Sequence, residues 1–392
     1  MDLNEYEKAA NGPLVGDFAL VAHERERSAE VAGPGYYPSL NGAEIADAHR
    51  SGLFPGASFT GSRDGDNAVY AYHSEDTFHA TAFVCNKEPG ELFLTGGCDP
   101  APEGPVDPGP YIARADATTG RQVWRTYLEN ANVSGKWIGG TNLNILADGH
   151  IVTSWSNDIA RLDTDTGRIL AYNRLPTGDT SPADSNFKHL TVAPDGTLIL
   201  KNQTRPVGLT LQGTLAIVQG LMQGKKQPNS HLVAVHPETL EILDDVSLPE
   251  ATTSPNVVTT FEDRIAIYIS ADQHAYRYFW DPVSSQLTQD ESWAVPYVGE
   301  GQMTGDAAGM MGDWVVIQTN GLPAAVPSTV VAINQHDPDK VTTIEPFGPL
   351  AEGQMSFAPP KTGTDPATTA SIPPTWATGS WPASTSTRPR AR

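Results

Sequence analysis

The chain has 392 residues and carries 25 Lys and Arg against 46 Asp and Glu, a formal net charge of −21. So acidic a balance, with Lys225 and Lys226 the one basic pair that stands out, argues against nucleic acid or anionic lipid as a partner. No apolar run approaches the roughly 18 to 20 residues that cross a bilayer, so no membrane insertion is expected, and 36 Gly with 32 Pro belong to a chain made of many turns.

The first segment, "MDLNEYEKAANGPLVGDFALVAHERERS", lacks the basic start and continuous apolar stretch of a secretory signal. Read literally it places the protein in the cytoplasm; a trimmed mature form would have the same appearance and place it in the periplasm or outside the cell. Strand-like "FALVAHE" and "NAVYAYH" follow, with a weak repeat signal, and residues 1 to 110 read as one or two divergent units of the sheet repeat that dominates the rest. "HSEDTFHATAFVC" gathers His73, Glu75, Asp76, His79 and Cys85. On one strand His73 and His79 lie about 20 Å apart, too far to share an ion without a turn, so no metal is assigned and the stretch reads as a solvated edge. Cys85 and Cys98, the two cysteines of the chain, flank a strand and turn. A disulfide suits an exported protein and two thiols a cytoplasmic one.

At "RADATTGRQVW" an Asp-x-x-Thr-Gly run supplies a tight hairpin, the Asp side chain accepting from nearby backbone N–H groups and the Gly tolerating positive φ. The pattern returns at "RLDTDTGRIL", "AVHPETLEIL", "FWDPVSSQLT" and "AINQHDPDKV". Taking Asp116, Asp163, His236, Asp281 and Asn334 as equivalent, the intervals are 47, 73, 45 and 53 residues. Apart from the long one these are near the roughly 40 to 50 residues of a propeller blade. The segments before the bends, such as "GHIVTSW", "GTLILKN" and "RIAIYIS", are of strand length and too short for packed helices. The fold expected is all-β, a β-propeller of four-stranded blades, with at least five blades represented over residues 111 to 360 and the regions flanking it, and six or more in the intact protein. The long interval holds an insertion near 202 to 230, and such insertions emerge on one face of a propeller, often the binding face. Residues 361 to 392 are rich in Thr, Ser, Pro and Ala. They read either as a low-complexity tail or as a frame-shifted end, since a shift of one nucleotide can yield a further strand, turn and strand with a bend about 53 residues after Asn334.

"ARADATTGRQVWRT" and "ARLDTDTGRILA" resemble the repeat of the quinoprotein-like propellers, the superfamily of pyrroloquinoline-quinone dehydrogenases and outer-membrane assembly lipoproteins. Asp116, Thr119, Gly120 and Trp124 match that repeat; Asp163, Thr166 and Gly167 match it without the Trp. The resemblance implies that Trp124 docks between neighbouring blades. For the dehydrogenases it also implies adjacent cysteines above a quinone ring and calcium ligands near it; here Cys85 and Cys98 are separated and no calcium ligand is assigned, so the cofactor stays unknown.

The residues with chemistry to offer cluster in "NFKHLTVAPDGTLILKNQTRPVG". His189 has the chemistry of a general base, and Lys201 or Arg205 that of a holder for an oxyanion or carboxylate; the alternative makes His189 a satisfied strand residue and the cations surface charges. Asn142, Gln302 and Asn320 offer amides to an axial channel, although Asn320 sits in an "NG" pair that also serves as a hairpin turn. No G-x-S-x-G elbow, H-E-x-x-H, P-loop or dinucleotide fingerprint occurs. The expected function is binding of a small organic molecule at the central channel, with hydrolase, lyase or oxidoreductase chemistry within reach there. The alternatives are a protein-interaction scaffold, favoured by exposed apolar groups in "LTLQGTLAIVQGLM", and a quinone-dependent dehydrogenase.

Overall fold

The computed structural model describes residues 35–39, 41–43, 46–51, 80–88, 90–96, 109–116, 121–129, 142–209, 217, 220–321 and 326–345, the side chains of 80–84 and 306 excepted. "FALVAHE", "NAVYAYH", His73 to His79, Cys98 and the tail from 361 lie outside them.

Five four-stranded antiparallel sheets follow one another along the described chain. Blade 1 is β1 (Ala80–Cys85), β2 (Glu91–Gly96), β3 (Tyr111–Asp116) and β4 (Gln122–Tyr127). Blade 2 is β5 (Asn144–Ile145), β6 (Ile151–Trp155), β7 (Asp158–Leu162) and β8 (Ile169–Arg174). Blade 3 is β9 (Ser185–Val192), β10 (Leu198–Thr204), β11 (His231–Val235) and β12 (Ile242–Ser247). Blade 4 is β13 (Val257–Phe261), β14 (Arg264–Ser270), β15 (His274–Asp281) and β16 (Gln286–Pro296). Blade 5 is β17 (Gln302–Met311), β18 (Trp314–Gly321), β19 (Val330–Asn334) and β20 (Val341–Ile344). In each sheet the strands lie side by side in chain order. The first strand is innermost, since β9 and β17 both lie against β13, and burial falls outward: β10 is buried throughout, whereas β20 is exposed throughout. The fold is a β-propeller.

Strand period and burial explain the seams. In blade 3, Leu198 and Leu200 join Val152, Ile159 and Leu190 in the core toward blade 2. Ile199, one residue out of phase, joins Val258, Ile267 and Trp280 toward blade 4. Both faces of the sheet are therefore covered, which is why "GTLILKN" reads as a continuous apolar run instead of an alternation.

Each of the five equivalent repeat positions, Asp116, Asp163, His236, Asp281 and Asn334, lies at the end of a third strand. Asp163 Oδ1 accepts from the N–H of Asp165 and Thr166 at 3.1 and 2.8 Å, and Asn334 Oδ1 from those of His336 and Asp337 at 3.0 and 3.2 Å. Asp281 Oδ1 accepts from Val283 N at 2.9 Å, and in blade 3 the acceptor is His236 Nδ1. The outer strands of blades 1 to 4 each bond the corresponding hairpin of the next blade or the strand leaving it. Trp124 Nε1 donates to Thr164 O at 3.1 Å, Asn173 Nδ2 to Leu240 O at 2.7 Å, and Trp293 Nε1 to Asn334 O at 3.2 Å, while Asp244 Oδ2 accepts from Leu287 N at 2.7 Å. The docking role inferred for Trp124 is thus met, and Trp293 repeats it in the seam between blades 4 and 5.

Three boundaries differ from the sequence reading. The line at 110 falls inside blade 1, because β3 and β4 complete a sheet begun by β1 and β2. The insertion in blade 3 spans 205 to 230, because Asn202, Gln203 and Thr204 complete β10. Residues 35 to 51, assigned to a divergent blade, instead form a strap across the inner strands of all five blades. Gly35 O and Gly42 O accept from Ala147 N and Ile145 N of blade 2, and Asn41 O accepts from Asn86 N of blade 1. Val192 N of blade 3 donates to Tyr36 OH at 2.8 Å. Ala48 O and His49 O accept from Val258 N of blade 4 and Met310 N of blade 5. The strap lies toward the end of the axis that carries the first-to-second strand hairpins, since Ala147 and Val192 both adjoin such hairpins.

Candidate functional site

At the opposite end of the axis the seams turn polar. His189 on β9 and Lys201 on β10 are direct cross-strand partners, so both side chains leave the same face of the sheet with Cβ atoms about 5 Å apart. That face looks toward blade 4: Lys201 Nζ lies 3.5 Å from Thr252 O, and Gln203 Nε2 donates to Thr253 O at 2.6 Å. One step down the strands, Thr191 Oγ1 donates to Asn256 O and Asn256 Nδ2 to Ile199 O, each at 3.4 Å. His189, Lys201, Gln203, Thr253 and Asn256 are all buried, Lys201 and Asn256 completely. Asn256 Oδ1 and Thr253 Oγ1 have no hydrogen-bond partner among the described residues. Buried polar atoms left in this state are rare in native folds, and each asks for an explanation. One seam thus holds a lysine and an imidazole on blade 3 and two acceptor oxygens on the connection entering blade 4, groups able to hold an anionic or hydroxyl-bearing group and to move a proton.

The other predicted positions lie elsewhere. Arg205 is buried just beyond β10, its Nε donating to Asp184 Oδ1 at 3.0 Å and its Nη2 to Ala183 O at 2.7 Å. Asp184 belongs to a 3₁₀ turn, Pro182–Asp184, leading into β9. Arg205 therefore fastens the end of the β9–β10 hairpin, roughly 13 Å along the strand from Lys201. Asn142 precedes β5 in the seam between blades 2 and 3: its Nδ2 bonds Ser154 Oγ and reaches Lys188 O at 3.2 Å, and its Oδ1 accepts from Ser154 N at 3.0 Å. Gln302 opens β17 and closes a turn, Oε1 accepting from Gly299 N at 3.0 Å and Nε2 donating to Pro327 O at 2.7 Å. Asn320 is buried within β18, so its "NG" is strand and not hairpin, and its Oδ1 accepts from Gln318 Nε2 at 3.3 Å. Of the six positions, the structure brings together His189 and Lys201.

Gln203, Thr253 and Asn256 were missed. The signal was the polar run "TTSPN" entering β13, which between two blades looks like an ordinary connection until Lys201 is seen against it.

A second cluster stands farther out on the same end of blade 4. Glu250 Oε1 accepts from His274 Nδ1 at 2.6 Å and Tyr276 OH at 2.8 Å, and Oε2 from Gln273 N at 2.6 Å. Burial opposes ionisation of Glu250, but the Gln273 N–H, His274 and Tyr276 outweigh it and hold the carboxyl below the usual carboxylate range. Burial and the neighbouring Glu250 push the Tyr276 phenol up, and Tyr278 is pushed up to about 12 by burial and Glu291. Burial likewise raises Asp272. Glu250 is consumed by its donors, so the cluster ties the blade 3 to blade 4 connection to β15.

Among the described residues no three His, Cys, Asp or Glu gather as a metal site. The described residues do not fit the quinone clamp. Cys85 is buried among Phe93, Leu143 and Ile145 with its sulfur 3.3 Å from Leu143 O, in the packed seam between blades 1 and 2. No helix of the described residues is long and apolar enough to cross a membrane.

No family model matches the chain. No curated protein matches it. Among solved structures it is similar to the quinohemoprotein alcohol dehydrogenase from Comamonas testosteroni, 11% identical over 87% of this chain and 53% of that one, with a TM-score of 0.48. It is also similar to BamB from Moraxella catarrhalis (12% identical, 70% and 66% covered, TM-score 0.40) and to the Dos1 propeller (12%, 65% and 58%, 0.36). What the chain shares with them is the propeller fold. The chain spans between 53% and 66% of the length of these three.

Proposed function

We propose that the protein binds a small polar organic molecule at the axial end of the seam between blades 3 and 4. The observation that carries this reading is the pair of buried acceptors, Asn256 Oδ1 and Thr253 Oγ1, without a hydrogen-bond partner among the described residues, in the seam that also buries Lys201. Lys201 would hold an oxyanion or carboxylate of the ligand and His189 would exchange a proton with it; Asn256 and Thr253 would accept from its hydroxyl or amine. Arg205 has no part in this, being held by Asp184. Hydrolase, lyase and oxidoreductase chemistry all remain compatible with such a set. The test is a thermal-shift screen of wild type and His189→Ala with hydroxy acids, amino acids, sugars and plain carboxylates. The reading expects at least one compound to raise the melting temperature of wild type and to do so less in the variant. A screen in which every compound leaves wild type unmoved, or shifts both proteins alike, removes it.

A second reading, an interaction scaffold, has its own observation: Val207 and Met222 on the β10–β11 connection are about two thirds exposed. It expects Val207→Ser with Met222→Ser to weaken association with a protein partner while leaving small-molecule binding unchanged.

A further inference from the structure

The four repeat hairpins of blades 2 to 5 cap the same bend with different acceptors. In blades 2 and 4 the residue that caps the bend is a carboxylate, and in blade 5 it is a carboxamide. In blade 3 it is His236, whose Nδ1 accepts from Glu238 N at 3.2 Å and Thr239 N at 3.3 Å. An imidazole accepts at Nδ1 only when that nitrogen carries a lone pair, so the ring here is neutral with its proton on Nε2. Protonation puts a hydrogen on both nitrogens, and Nδ1–H then points at two backbone N–H groups. Imidazole takes up that proton in the mildly acidic range, where carboxylates stay ionised and a carboxamide does not titrate.

The hairpin is fastened to the neighbouring blade. Leu240, fully buried, packs among Val152, Ile159 and Leu175 of blade 2 and beyond. Its carbonyl accepts from Asn173 Nδ2 at 2.7 Å, and its φ of 60° is a left-handed conformation that residues other than Gly adopt only when their surroundings hold them there. The charged groups around the hairpin are Glu238 and Glu241 on it, Asp148, His150 and Arg161 of blade 2, and Asp195 at the β9–β10 hairpin. Asp148, Asp195 and Glu238 share a depression of about 250 Å³ with Pro237.

We propose that the β11–β12 hairpin is an acid-sensitive latch between blades 2 and 3, released when His236 takes up a proton. Release frees residues 236 to 241 and lifts Leu240 from the seam, while the other described hairpins stay closed. The measurement is hydrogen exchange by mass spectrometry of the full chain at pH 7.5 and 5.5, corrected for intrinsic exchange, on wild type, His236→Asn and His236→Asp. Wild type is expected to exchange the amides of 236 to 241 about tenfold faster at pH 5.5. Both variants, which reproduce the caps of blades 5 and 2, are expected to show less than a twofold change. A wild type without the acceleration, or variants that keep it, overturns the latch.

Discussion

Trp124 and Gly167 illustrate how a seam is specified by two residues 43 positions apart. A methyl group on Gly167 would come within 2.6 Å of the Trp124 ring, and the glycine also has a φ of 69°. Gly167→Ala should therefore lose about 1 to 3 kcal/mol through strain and overpacking. Trp124→Phe, which keeps most of the ring but drops the bond to Thr164 O, should lose about 1 kcal/mol. Urea unfolding of the two variants would check the order. The Asp-x-x-Thr-Gly bend was legible at this scale because turn chemistry is local. The partner of Lys201 was not, because Thr252 and its neighbours approach it from a different blade and carry no pattern of their own.

Among the elements, the strap is the feature that strand periodicity could not reveal. The described residues of 35 to 51 bond through backbone carbonyls to blades 1, 2, 4 and 5, and carbonyls leave no trace in side-chain pattern. Its one diagnostic side chain is Tyr36, buried beside Leu146 and Val192, whose hydroxyl satisfies Val192 N. Tyr36→Phe leaves that buried N–H without its acceptor and should cost about 1 to 3 kcal/mol. Tyr37→Phe, which removes a bond to Glu88 on a half-buried surface, should cost less. Thermal unfolding of both variants distinguishes a strap that staples the axis from one that rests on it. The third-to-fourth connections behaved oppositely: all five equivalent positions found in the sequence end a third strand, and in blades 2 to 5 the chain there both turns and meets the preceding blade.

For the whole molecule, pH dependence follows from the carboxyls. Asp163 and Asp281 are held below the usual range chiefly by side-chain bonds from Thr166 and Ser284. Burial opposes the ionisation of Asp290, but Ser292 and Arg277 outweigh it, and Gln335 holds Asp313 down. Groups whose folded pKa is depressed contribute stability that is present above the unfolded value near 4 and is lost as pH falls through the folded value. The urea midpoint should hold steady from pH 7 to about 5 in His236→Asn and fall below pH 4; a midpoint rising through that lower range would mean that relief of the −21 net charge outweighs these bonds. The architecture was legible because a propeller repeats its grammar, whereas a binding seam occurs once and is assembled from several blades.

Whether the seam of blades 3 and 4 binds a ligand is decided by calorimetry. The compound that most stabilises wild type in the screen is titrated into wild type, Lys201→Met and Asn256→Ala, each first shown to be folded by circular dichroism. The account predicts that either substitution weakens binding by about tenfold or more, the loss of roughly 1.4 kcal/mol. Equal dissociation constants in all three proteins would contradict it.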